Sequence, residues 1–169
     1  MPDAPEVRTL TPDDWGLFRR LRLAALRDAP LAFGSTYERE ASRTEEQWRE
    51  RLGWVDGERF VAYVEGEPAG IAAVYLRKEE RDDPGPVPEL VSMWIHPDHR
   101  RRGVGRVLVE AVIGWVGGRG HDEVRLMVSA DNPAAERFYD TIGFARNGYT
   151  QPFPHDAARS EHEMVRRVR

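Results

Sequence analysis

The chain has no cysteine among its 169 residues. That excludes a disulfide framework, a thiolate–metal site and a cysteine nucleophile. It has no basic excess either: 25 Lys and Arg stand against 29 Asp and Glu, a formal charge of −4. A dedicated nucleic-acid binder is expected to be basic overall or to carry a strongly basic face, so nucleic acid is not an expected partner. No apolar run approaches the roughly 18 residues of a membrane span. The opening residues, MPDAPEVRTL, lack a basic start followed by an apolar core. No signal peptide, no membrane partner and a cytoplasmic location are therefore expected. Internal repeats and low-complexity tracts are missing as well. The one linker-like stretch, KEERDDPGPVP (78–88), is too short to separate a pair of domains and reads as a surface loop between strands. With 40% apolar residues, ordinary for a globular protein, a single domain over 1–169 is expected.

What is present alternates between two periodicities. VRTLT, RFVAYVE, PAGIAAVYLR, ELVSMWI, EVRLMVS, FARNGY and SEHEMVRRV read as strands. EGEP is the tight turn of an antiparallel hairpin between the second and third of them. ELVSMWI is apolar on both faces, as a central buried strand is. Helical spacing marks four segments. The first is capped at Thr11, has Pro12 at its first position and runs to about Arg27. The second, in SRTEEQWRERLG, has Ser42 or Thr44 as cap and Gly53 as stop. The third carries Val104, Leu108, Ala111, Val112 and Trp115 and ends at GGRG. The fourth, NPAAERFYDTIG, has Asn132 as cap, Pro133 at its first position and Gly143 as stop. The middle of the chain is thus strand, turn, helix, strand, helix, strand. This predicts an α/β (α+β mixed) fold with a mixed sheet of about six to seven strands flanked by about four helices.

One turn stands out. HPDHRRRGVG (96–105) joins a strand to a helix through Arg100, Arg101, Arg102, Gly103, Val104, Gly105 and Arg106. Two glycines bare the backbone where the first amides of a helix have no internal partner and its dipole is positive. An anion docked there would satisfy both. The known phosphate motifs fit poorly. A P-loop needs Lys-Ser or Lys-Thr where Arg106-Val107 stand, and a dinucleotide fingerprint needs glycine where Leu108 stands. On this stretch alone, a phosphate cradle and a basic surface turn remain open.

Combined with the helix one strand later, the turn resembles the GNAT superfamily of N-acetyltransferases. Arg100-x-x-Gly103-x-Gly105 matches the family's acetyl-CoA signature, and SADNPAAERFYDTIGF matches its next strand and helix. LAFGSTYERE resembles the loop where many members hold the acceptor. The resemblance covers most of the chain and implies a single GNAT domain. Its co-substrate would be acetyl-CoA, with its pyrophosphate on the amides from about Arg101 to Arg106. Its pantetheine arm would pair with the backbone of Met93 and Ile95, beside Trp94, as an added strand. A bulge, placed at WIHP, would splay this strand from the next.

The implied reaction is direct acetyl transfer to a primary amine of a small molecule or protein, without an acyl-enzyme. Tyr139 matches the family's general acid, and the Ile95 N–H is the expected oxyanion donor. Asn132 would contact pantetheine as well as cap its helix, with Phe138 alongside. Glu89, at the start of the central strand, is the candidate base acting through water. Ser92, expected on the opposite face from Val91 and Met93, together with Tyr37 and Glu38, would meet the acceptor. His155 in QPFPHD could help lid the site. His96 and His99 lack a third ligand, so no metal is expected. A non-catalytic acyl-CoA-binding regulatory module of the same fold is the alternative. A homodimer is compatible with the sequence, although no stretch encodes one.

Overall fold

The computed structural model describes residues 3–78 and 85–169. Seven strands form one sheet. They are β1 (Glu6–Thr9), β2 (Gly57–Val64), β3 (Glu67–Arg77), β4 (Val87–Ile95), β5 (Glu123–Ser129), β6 (Ala145–Phe153) and β7 (Asp156–Arg167). Their order in the sheet is β1-β2-β3-β4-β5-β7-β6. Only β4 and β5 run parallel, because the long helix α4 carries the chain between them. The helices are α1 (Trp15–Asp28), α2 (Tyr37–Ala41), α3 (Glu45–Leu52), α4 (Val104–Gly118) and α5 (Pro133–Thr141). The predicted mixed α/β architecture is the observed one. Residues 79–84 of the expected surface loop lie outside the described residues, and Val87 and Pro88, read as its end, already pair with Arg77 and Leu76 as strand.

Alternation along the strands builds two cores. Phe60, Ala62 and Val64 of β2 join the buried face of α4, which offers Val104, Leu108, Val109, Val112 and Val116. Val61, between them, turns to the opposite face and packs with Phe18, Leu21 and Leu26 of α1 and Trp48 of α3. Glu65 (φ 51°) and Gly66 (φ 80°) close the β2–β3 hairpin with two left-handed residues, the primed geometry that suits strand twist.

Three readings need correction. Five α-helices lie among the described residues, against the about four expected. Five-residue α2 sits inside the segment read as a loop, with the Thr36 hydroxyl accepting from the Arg39 amide. It is too short to show a helical period. The closing strands are longer than expected, and QPF belongs to β6. The bulge lies two residues before WIHP. Ile71 pairs with Trp94 but Ala73 with Val91, so Ala72 faces both Ser92 and Met93. Ser92 takes the strain at φ 56°.

This bulge redirects the end of the strand. An unbroken β4 would put Leu90 and Trp94 on one face. Instead Leu90 joins the α4 core with Met93 and Ile95 against it, while Trp94 joins the α1 core. Ser92 also departs from expectation. Its hydroxyl accepts from Arg22 of α1 at 3.2 Å, so it shares the α1 side with Val91 rather than opposing it. Beyond the single pair Glu89–Arg125, β4 and β5 have no ladder, and the sheet opens.

Candidate active site

The opening in the sheet has a cleft on each side. The apolar one, of about 670 Å³, is walled by Met93, Trp94 and Ile95 of β4, by the turn and start of α4, and by Asn132, Phe138 and Tyr139 of α5. The polar one, of about 550 Å³, lies under α1–α3 and is walled by Glu89, Val91 and Ser92 together with Glu161 and Glu163 of β7. Ala32 and Phe33, in the α1–α2 connection, line both.

The turn bares its backbone where α4 begins. Arg101 (φ 62°) and Gly103 (φ 80°) are both left-handed. Helices α2, α3 and α5 have side-chain caps, from Thr36, Thr44 and Asn132. Helix α4 starts on Gly103, which has no side chain to offer, so its first amides remain available. Gly105 has a packing duty besides: a Cβ there would come within 2.7 Å of the Phe138 ring. That contact brings α5, and with it Tyr139, against the start of α4.

The arginines divide. Arg101 and Arg106 line the apolar cleft and make no ion pair among the described residues. Arg100 lines it too, but its guanidinium is held by Asp28 at the end of α1 and donates to the Ile95 carbonyl. It braces the turn rather than reaching out. Asp28 also accepts from the Trp94 indole at 2.9 Å, and that bond first, then Arg100 against the cost of burial, holds its carboxyl below the usual range. Arg102 lines neither cleft and turns back toward His99 and Glu65.

The backbone groups of β4 alternate between β3 and the opening. His96 donates to the Ala69 carbonyl at 2.8 Å, so alternation points the Met93 and Ile95 amides away from β3, into the opening. The Ile95 carbonyl is already engaged by Arg100.

Tyr139 is 9% exposed and packed between Phe138 and Phe144. Burial pushes its phenol well above the ordinary range, so it stays protonated at neutral pH. Asn132 caps α5 through its carbonyl oxygen while lining the cleft. Glu89 lies in the polar cleft but is ion-paired with Arg77 at 2.8 Å. Tyr37 and Glu38 line neither cleft. The Tyr37 hydroxyl accepts from Arg27 at 2.6 Å, on the α1 side of α2, and Glu38 is exposed. His155, at the β6–β7 turn, donates Nε2–H to the Gly34 carbonyl, and Pro154 beside it walls the polar cleft. The segment thus covers the cleft from one side. His96 and His99 rings stack edge-on, and among the described residues no group of three or more His, Cys, Asp or Glu is placed to hold a metal. No helix among them is long and apolar enough to cross a membrane.

Sequence reasoning missed the floor of the polar cleft. Glu40, 1% exposed, receives a bidentate pair from Arg22 at 2.9 Å and a third contact from Arg51 at 3.1 Å. Burial pushes its carboxyl up, but Arg22 and Arg51 outweigh it and hold it at about 2. Glu161, 7% exposed, accepts among the described residues only from Gln151, at 2.7 Å, and burial raises its carboxyl above the ordinary range. A lone acidic residue in a polar-looking strand carries no sequence signal of this. Only the pairing of β7 between β5 and β6 buries it.

The sequence pattern of the Acetyltransferase (GNAT) family matches residues 22–144. The chain belongs to the GNAT family of acetyltransferases. The match takes in the second half of α1, the β4 bulge, the turn and α5, so the two walls of the apolar cleft are GNAT elements. This GNAT chain is similar to mycothiol acetyltransferases of Thermobispora bispora (29% identical over 147 residues) and Rhodococcus erythropolis (31% over 150). Each similarity covers 86% of this chain and 48% of the relative, so the chain spans about half the length of these curated relatives. Among solved structures, a GCN5-related N-acetyltransferase from Kribbella flavida superposes with TM-score 0.73 at 25% identity, covering 97% of this chain and 98% of that one. The Vibrio cholerae spermidine N-acetyltransferase, solved with CoA and spermine, superposes with TM-score 0.72 at 18% identity, over 97% and 95%, a likeness of fold.

Proposed function

We propose that this GNAT chain transfers an acetyl group from acetyl-CoA directly to a primary amine. The observation that carries the reading is the pair of clefts meeting at Ala32 and Phe33 across the β4 opening, one side suited to a CoA ester and the other to an acceptor. The amides at Val104–Arg106, with Arg101 and Arg106, hold the pyrophosphate. The outward edge of β4 holds the pantetheine arm and delivers the thioester to the opening.

Chemistry then follows from the groups around that point. The amine nitrogen attacks the thioester carbonyl, and the new oxyanion is stabilised by the Ile95 N–H. The C–S bond breaks, and Tyr139 gives its proton to the departing sulfur. The acceptor must first lose a proton, since an alkylammonium has a pKa of about 10.4. Glu89 is the weaker candidate for this, because its carboxylate is already engaged by Arg77 at 2.8 Å. Glu161 is the stronger: it lines the acceptor side, has no cationic partner among the described residues and has a raised pKa. It takes the proton directly or through water.

Calorimetry with CoA and thiol release with a panel of amines test the reading. CoA binding with acetyl transfer is expected. Binding without transfer to any amine would reduce the chain to a CoA-binding module, and no binding would end the proposal. A crystal structure with CoA is expected to place the pyrophosphate on the turn at 101–106.

Glu161→Gln separates the two candidate bases. Activity requires the ionised carboxylate, so it is lost as pH falls through the raised pKa of Glu161. The substitution is expected to lower kcat/KM about a hundredfold and abolish that acidic limb. It is also expected to raise stability at neutral pH. A raised folded-state pKa gives stability that is present below the unfolded value and lost as pH rises through the folded one, and glutamine escapes that loss. An unchanged acidic limb would return the role to Glu89 or to water alone.

A further inference from the structure

The charges of the polar cleft are sorted by side except for Arg77 on the sheet and Glu40 on the helices. Four arginines come from the helical layer, Arg22 from α1, Arg39 from α2, and Arg43 and Arg51 from around α3, while Arg77 comes from β3. The carboxylates facing them come from the sheet: Glu89, Glu161 and Glu163. Most of these groups are neutralised at home. Glu89 and Glu163 have Arg77 and Arg125 nearby, and Arg22 and Arg51 share Glu40.

The remainder is what matters. On the sheet side, Glu161 has no cationic partner among the described residues. On the helical side, the Arg43 guanidinium makes no hydrogen bond or ion pair among them, and its Nε is buried without an acceptor. The Ser35 hydroxyl, which lines the same cleft, is likewise buried without a partner. Exposed Arg39 adds a second cation with no ionic partner among the described residues. Buried polar atoms are rarely left unsatisfied, and two on one wall mark a place where something else binds. Its sign follows from the surroundings. Glu40 is the one carboxylate shared by Arg22 and Arg51, and Arg43 adds its positive charge beside Arg51. Burial first, then the charges of Arg51 and Arg22, push the nearby Arg59 guanidinium down to about 10. Positive charge here is under-compensated, so the missing partner is an anion.

We infer that the acceptor is an amine that also carries an anionic group, a carboxylate or a phosphate, with the anion held by Arg43 and Ser35 and the amine facing Glu161. The inference rests on the acetyl-transfer reading for the amine and on the cleft's own charges for the anion. A simple diamine would lose on both counts, since its second ammonium would lie against Arg43 and Arg39.

The test is a matched set of acceptors: α- and ω-amino acids against their amides, and phosphoethanolamine against ethanolamine. Thiol release reads turnover, and calorimetry on the CoA-saturated protein reads binding. The anionic member of a pair is expected to win by roughly ten- to a hundredfold in kcat/KM, the size of a charge-assisted contact. Comparing the amino acids with phosphoethanolamine identifies which anion is read. Arg43→Gln is expected to collapse the ratio toward one, and Arg43→Lys to restore some of it. Arg43 has no partner to lose, so circular dichroism should show both variants folded. Equal handling of a charged acceptor and its neutral twin, or a preference that survives Arg43→Gln, overturns the inference while leaving amine acetylation intact. If no amine is acetylated, the binding arm still decides: preferential, Arg43-dependent binding of the anionic member supports the inference, and equal binding overturns it.

Discussion

Tyr139→Phe is expected to lower kcat by about a hundredfold or more, with the acetyl-CoA dissociation constant changed by no more than a few-fold. The magnitude is that of removing a positioned general acid. The substitution deletes one oxygen and keeps the ring in its place between Phe138 and Phe144, whose centroids lie 5.2 and 5.6 Å away. Packing, and therefore the fold, survives. The wall of the apolar cleft survives too, because Gly105 is contacted by Phe138 rather than by Tyr139. The hydroxyl is suited to donate and unsuited to accept: burial keeps the phenol protonated across any workable assay range. A free thiol has a pKa of about 8.5, so a departing thiolate near neutral pH benefits from that proton. Steady-state thiol release, read beside calorimetry of acetyl-CoA, separates the chemical step from binding. Equal turnover in the variant would mean that the thiolate leaves without help or is protonated by solvent.

The second large effect is on stability. Glu40→Ala is expected to cost about 3–5 kcal/mol, because it strands Arg22 in the interior with no anion. For a chain of this size that is a fall in Tm on the order of 10 °C. Arg22 is 5% exposed, so water cannot take the place of the lost carboxylate. The pH dependence has a definite sign. Glu40 is held at about 2, below its ordinary value near 4.5, so its contribution is present above the upper value and lost as pH falls through the lower. Some of the acid destabilisation of the parent, between about pH 4.5 and 2, should be missing from Glu40→Gln. Arg22 also donates to Ser92 at the bulge, so the variant should lose acetyl transfer before it loses its fold. Thermal melts at several pH values check this, and a melt within about 2 °C of the parent would show that Arg22 finds another partner.

These two residues differ in how visible they are in the sequence. Tyr139 follows a helix cap and a proline and falls on the apolar stripe of α5, so its position can be read from local spacing. The turn at 100–106 is readable for the same reason. An uncapped helix start and two glycines are features of consecutive residues, and they mean the same thing wherever the strand before them leads. The hairpin at Glu65-Gly66 and the stops at Gly53 and Gly143 belong with them. Glu40, Glu161 and Arg43 are not readable at all. Each is an ordinary charged residue in its own stretch. Arg102 looks like its neighbours in the turn, yet it faces Glu65. The bulge is expected nearby but misplaced, since a register shift at Ser92 leaves ELVSMWI looking like any strand apolar on both faces.

The sequence by itself therefore determined the order of the strands and of the four longer helices, the glycine-marked turn and the helix that bears Tyr139, because these depend on backbone geometry and on periodicities a few residues long. The tertiary structure alone decided which side of β4 each residue faces, which carboxylate stays without a counter-ion and which arginine lacks an acceptor. Those outcomes depend on burial and on partners far apart in the chain, as Arg22 and Ser92 are at 70 positions. The strength and even the sign of a charge's contribution are set by how much water the fold leaves beside it.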